Sequence, residues 1–117
     1  MRELLLVALL VFTGSAAFAQ EQAPAGSPER GYQAYMKFQC YTCHGTVGQG
    51  GERNVGPKLV PDPIPYVGFE VEMRTPSRDM PAYRKPFVSD QDLADMYAYL
   101  LSIKPGPAAK DITLLNF

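Results

Sequence analysis

Cys40-Tyr41-Thr42-Cys43-His44 is the stretch on which the fold turns, for it holds both cysteines of the chain and its one histidine. Cysteines three apart lie about one turn from each other on the same side of a helical segment, so both sulfurs face one way. On the N-terminal side, Ser27-Pro28-Glu29 reads as an N-cap, a proline at the first helical position and an acidic first turn. Tyr32, Tyr35, Met36 and Gln39 follow at i, i+3, i+4 and i+7, which predicts a first helix from about Pro28 to Gln39. On the C-terminal side, Thr46 to Pro65 carries Gly48, Gly50, Gly51, Gly56, Pro57, Pro61, Pro63 and Pro65. So many helix breakers make an irregular loop.

C-x-x-C-H is the pattern of c-type haem attachment. The two sulfurs can form thioethers with the two vinyl groups of one porphyrin, and the imidazole of His44 then lies beneath the ring, where it can bind iron. Three other readings are weaker. A thioredoxin-like pair wants its first cysteine opening a helix inside a βαβ pattern, whereas here a helix precedes Cys40 and a glycine-rich loop follows. Structural zinc needs four ligands, and two cysteines with one histidine would have to recruit a carboxylate. A chance match in an exported protein is the least attractive of the three.

The export reading comes from the first nineteen residues. Met1-Arg2-Glu3 is a short polar start, Leu4 to Phe12 is an unbroken apolar run, and Ala17-Phe18-Ala19 supplies an A-x-A cleavage pattern. From Leu4 to Ala19 the run is shorter than a membrane-spanning helix requires, so residues 1–19 are expected to be a cleaved signal peptide that leaves no integral membrane span. Residues 20–27 form a polar leader, residues 28–104 the folded domain and residues 105–117 a C-terminal tail. The chain is 46% apolar and 20% charged over 117 residues, which excludes a disordered chain and a multi-domain enzyme. Eleven Lys and Arg against twelve Asp and Glu give no chain-wide basic surface, so nucleic acid is not an expected partner. A mature domain of about 100 residues has a small core, and two cysteines so close in sequence would make a poor disulfide staple. A cofactor inside the core would serve better.

Tyr66 to Arg74 alternates like a strand as well as it fits a short helix. A single strand without a partner cannot make a sheet, so a short helix is expected there. Thr75 to Phe87, with Pro76, Pro81 and Pro86, is a second irregular stretch. Ser89 to Asp92 has the S-x-x-D form of a helix start, and Leu93, Met96, Tyr97, Leu100 and Leu101 recur at helical spacing. This helix should end by Lys104, before Pro105-Gly106-Pro107. The apolar residues of the tail, Ile112, Leu114, Leu115 and Phe117, are expected to pack back on the domain, with docking to a larger complex as their other use.

With no second histidine, the other axial position on iron falls to a methionine or lysine, or stays open. Met1 leaves with the signal peptide, Met36 lies one turn before Cys40, and Met96 is on the apolar stripe of the last helix. Met73 sits on or near the central helix. Met80, on a proline-bounded loop 36 residues beyond His44, is the preferred ligand.

These motifs, in this order, resemble those of the class I, single-haem c-type cytochromes of short bacterial type, over Gly31 to Leu101. The resemblance implies an all-α cytochrome c fold, with three main helices and irregular loops wrapped around one covalently bound haem. Gly31 and Tyr35 resemble the residues by which the family's first helix crosses its last, with Met96 and Tyr99 as their partners and Leu100 facing the haem. Gly56-Pro57-x-Leu59 resembles the segment whose proline carbonyl accepts a hydrogen bond from the haem-binding histidine, with the leucine packing on the ring. Met80-Pro81 resembles the distal ligand loop. There is no tryptophan to hold a propionate, and the lysine ring of mitochondrial members is not reproduced.

The expected site is therefore Cys40 and Cys43 as haem thioethers, Pro57 and Leu59 against the haem, and His44 and Met80 as axial ligands of iron in one haem c. The expected function is that of a periplasmic one-electron carrier, not an enzyme, whose partners are redox proteins. Two alternatives stand beside it: a haem subunit of a larger dehydrogenase or oxidase complex, and a ligand-binding or catalytic haem protein with an open distal site. Arg74, Arg78, Arg84 and Lys85, around the distal loop, are a candidate basic patch for an acidic partner.

Overall fold

The structure is a computed structural model that describes residues 23–115; residues 1–19, expected to be a signal peptide, the start of the expected leader and residues 116–117 lie outside the described residues. Four α-helices follow one another: α1 (Pro28–Lys37), α2 (Tyr41–His44), α3 (Tyr66–Arg74) and α4 (Asp90–Ser102). Among the described residues there is no strand, so the fold is all-α, with three longer helices and a single-turn one.

The first and last helices begin where their sequences cap them. Ser27 Oγ accepts from the Arg30 amide with Pro28 in the first turn. At α4 the capping box is reciprocal: Ser89 Oγ accepts from the Asp92 amide at 3.0 Å, and the Asp92 carboxylate accepts from the Ser89 amide at 2.9 Å. The first helix stops two residues short of expectation, because Gln39 takes a left-handed φ of 61°. That reversal lets the Cys40 amide reach back to the Tyr35 carbonyl at 3.1 Å. The ambiguous stretch 66–74 is a helix.

The core is the crossing of α1 over α4. A Cβ on Gly31 would run into the Asp95 carbonyl and the Tyr99 side chain, so the missing side chain is what lets the two backbones meet. Tyr35, Leu93, Met96 and Leu100 are buried there, each large apolar side chain contributing roughly 2 kcal/mol of transfer free energy. The ring of Tyr99 lies 5.5 Å from those of both Tyr32 and Tyr35. On the other side of α4, Tyr97 packs against Tyr66 and Phe69 at 5.3 and 5.4 Å and donates its hydroxyl to the Ile64 carbonyl. These contacts hold α3 to α4.

One polar group is buried in the crossing. The Asp95 side chain is 5% exposed and accepts from Arg30 Nε and Nη2 at 2.7 and 2.8 Å, from the Ser27 amide at 2.7 Å and from Gln91 Nε2 at 2.9 Å. The Arg30 hydrogen bonds, more than any other cause, hold its carboxyl down at about pKa 2. Through Asp95 and Gln91, which also donates to the Ala25 carbonyl, residues 25–27 dock on α4 instead of trailing from the domain as a leader. The tail is described only in part. It forms two 3-10 turns, Ala109–Asp111 and Thr113–Leu115, with Leu114 85% exposed and Ile112 half-buried, while Phe117 lies outside the described residues.

Candidate cofactor site

The single turn of α2 carries the motif, with Cys40 at its N-cap in helical conformation. Cys40, Cys43 and His44 thus share one turn. Cys40 is buried and Cys43 half-buried, and no disulfide joins them. Burial, more than anything else, pushes the Cys40 thiol up to about pKa 11, with the Tyr83 hydroxyl beside it pulling the other way. A redox-active pair needs a cysteine whose pKa is depressed, and this one is raised.

His44 is 9% exposed, and its Nδ1 lies 2.8 Å from the Pro57 carbonyl oxygen. A carbonyl only accepts, so the proton sits on Nδ1 and the lone pair of Nε2 is left for a ligand. The approach of Pro57 depends on Gly56, where a Cβ would strike the Cys43 carbonyl and side chain. The loop that follows the motif is tied down by its neighbours: Gly50 donates to the His44 carbonyl at 2.8 Å, Tyr35 Oη to the Gly45 carbonyl at 2.7 Å and Tyr99 Oη to the Thr46 carbonyl at 3.1 Å. Leu59, half-buried against the core, is fixed by its amide on the Gly48 carbonyl.

The methionines sort by environment. Met96 and Met73 are 1% and 4% exposed, filled into the core. Met36 and Met80 are half-buried against it, Met36 on α1 and Met80 on the irregular loop after α3. That loop is closed at its base by the Tyr83 amide on the Met73 carbonyl at 2.8 Å, and Tyr83 Oη reaches the Phe38 carbonyl just before the motif at 3.2 Å.

The basic patch is smaller than expected. Arg74 is only 15% exposed, and its guanidinium donates to the Tyr83 and Val88 carbonyls and to Asp90, each at 2.7 Å. Its Nε is buried without a partner among the described residues. Lys85 pairs with the same Asp90 at 2.9 Å. Arg74, so engaged and largely enclosed, contributes little field outside the protein, which leaves Arg78, Arg84 and the 68% exposed Lys85 as the outward charges of the loop.

The donor set fits a covalently held haem. Two sulfurs rise from one turn, an imidazole has one nitrogen pinned and one free, and Val60, Leu93, Leu100, Leu59 and Phe69 belong to the adjoining apolar core. It does not fit zinc, since among the described residues no three His, Cys, Asp or Glu side chains cluster. The tyrosine tethers and the Arg74 bonds were not foreseen. A buried tyrosine needs a hydroxyl partner, which signals a tether without naming its end; for Arg74 the linear sequence holds no signal.

No curated protein and no solved structure matches the chain significantly. A family model does match, over residues 26–100, from the docked glycine ahead of α1 to Leu100 near the end of α4, and its description is cytochrome c oxidase, cbb3-type, subunit III. With the haem-binding motif, the helix crossing and the pinned histidine all inside that match, the chain belongs to this family and is a single-haem c-type cytochrome with a covalently bound haem c.

Proposed function

We propose that the chain is an exported, periplasmic one-electron carrier with His44 and Met80 as axial ligands. The observation that carries the reading is the His44 Nδ1 to Pro57 hydrogen bond on the same turn as both cysteines. When bound, the haem supplies an iron centre that takes up and gives back one electron. Cys40 and Cys43 would hold the group by thioethers, Pro57 fixes the tautomer and ring plane of His44, and Leu59 would line the group. The soft sulfur of Met80 and the apolar surroundings raise the reduction potential, while the Pro57 bond makes His44 a stronger donor and lowers it. With His44 and Met80 both holding the iron, no open position would be left for a substrate, which favours a carrier over an enzyme. Little geometry changes with oxidation state, as rapid electron transfer requires.

Export is supported by the signal-like residues 1–19. Arg78 and Arg84, on the loop that carries Met80, suit a small, transient contact with an acidic redox partner. The family's description favours a second reading, in which the chain is a haem subunit of an oxidase complex. The two separate on purification: a carrier elutes alone from the periplasmic fraction, a subunit with its membrane complex.

The test is the optical spectrum, oxidised and reduced, of protein matured where haem can be attached. A covalent haem spectrum with the methionine-sulfur-to-iron band at the red edge of the oxidised form is expected, and Met80→Ala should abolish that band. Covalent haem with high-spin iron and no band in the wild type would replace this reading with an open-site, ligand-binding protein.

A further inference from the structure

The loop from Thr75 to Val88 carries Met80 yet has little structure of its own. It contains three prolines, and Phe87 is 81% exposed. Its form comes from outside, chiefly from Arg74 at the end of α3. The guanidinium spans the Tyr83 carbonyl, the Val88 carbonyl and the Asp90 carboxylate, which lie nine, fourteen and sixteen residues further along the chain. Met73 next to it receives the Tyr83 amide, so both ends of the segment that includes Met80 are drawn to one point. Tyr83 in turn donates to Phe38 and lies beside Cys40, which registers that point against the attachment turn.

We infer that Arg74 is the positioning residue of the distal ligand: by latching the exit of the Met80 loop to both α3 and α4, it sets how firmly Met80 is held on the iron. The inference rests on the reading of Met80 as the ligand. Closing a loop costs conformational entropy, and a latch that keeps it closed lowers the cost of each Met80 rebinding event. Three acceptors in different directions suit the planar fork of arginine. A lysine ammonium is a point donor that cannot span them.

The experiment is an imidazole titration of the oxidised holoprotein, followed by loss of the methionine-to-iron band, since imidazole competes with Met80 for the iron. Wild type, Arg74→Met and Arg74→Lys are compared with Asp95→Asn, which weakens the α1/α4 crossing without touching the loop. Arg74→Met should bind imidazole about tenfold more tightly than wild type, the size expected from losing charge-assisted bonds to two carbonyls. Arg74→Lys should bind it about threefold more tightly, for the charge remains and the fork is lost. Asp95→Asn should leave the imidazole affinity unchanged while lowering the melting temperature. Wild-type affinity in Arg74→Met, or an equal tightening in Asp95→Asn, overturns the assignment to Arg74 and leaves the Met80 reading intact. Absence of the band from wild type overturns both. Should Arg74→Met fail to fold, Arg74→Lys decides alone, and wild-type affinity there overturns the inference.

Discussion

The α1/α4 crossing and the Met80 loop meet at Asp90, yet they are held by different physics. The crossing is side chain against side chain: Gly31 admits the approach, Tyr35, Leu93 and Met96 fill it, and a buried Asp95 collects four hydrogen bonds. The loop is backbone against one guanidinium, with much of its own surface in water. Close packing resists any local change, so the crossing yields only when the whole domain unfolds. A loop held by a few hydrogen bonds can open alone, at a fraction of the global free energy. On the proposed Met80 ligation, the segment that grips the iron is thus the less rigid of the two, and its grip can be adjusted without cost to the core.

Gly31→Val should strike the crossing hardest. The added side chain meets the Asp95 backbone, which cannot step aside, and a loss of about 3 kcal/mol is expected. Thermal unfolding of the holoprotein measures it, and the methionine-to-iron band should survive until the main transition. If the band vanished well below that transition, the two regions would not be independent.

Asp95→Asn comes next, with about 1.5 kcal/mol lost at neutral pH; Arg30 is 61% exposed, so water screens part of the pair. The folded carboxyl sits at about 2, below its ordinary 3.8, so its charge stabilises the fold fully above the ordinary value. That contribution falls away as pH drops through about 2. Denaturant curves should therefore show the gap between wild type and Asp95→Asn shrinking steadily from neutral pH toward about 2, and a gap that stays at its neutral size would assign the loss to packing instead of charge.

Tyr35→Phe is the mildest. It removes the hydroxyl bond to Gly45 and leaves the ring in place, for about 1 kcal/mol. The same variant sharpens the comparison, because that bond runs from the crossing to the turn beside His44. Its loss should appear both in melting temperature and in a small shift of potential, whereas Gly31→Val should move the first alone.

Where the chain follows helical spacing, the sequence could be read directly. Ser27-Pro28 and Ser89 to Asp92 are capping signals that act on their own neighbours, and the stripe Leu93, Met96, Tyr97, Leu100 needs only a partner surface. The C-x-x-C-H turn is legible for the same reason, since its chemistry sits within five residues. The hydrogen bond from His44 to Pro57 spans thirteen residues of irregular chain and came only through resemblance to a family, not through periodicity. Arg74 lay beyond both routes. Its acceptors are backbone carbonyls, which every residue owns, so nothing in the identities of Tyr83 or Val88 marks them as its partners. The docked residues 25–27 were misread because a short polar run looks the same whether or not Asp95 and Gln91 wait on another helix to bind it.

The burial of Cys40 has a consequence for the order of events during maturation. In the folded chain this side chain is enclosed, with the residue 8% exposed. An attachment enzyme cannot reach a sulfur so covered. On the proposed linkage, the porphyrin must be joined while the chain is still open, and the Met80 loop can close over the result only afterwards. The haem would then be a nucleus around which the polypeptide condenses, and a chain that folded first would be sealed against its own cofactor.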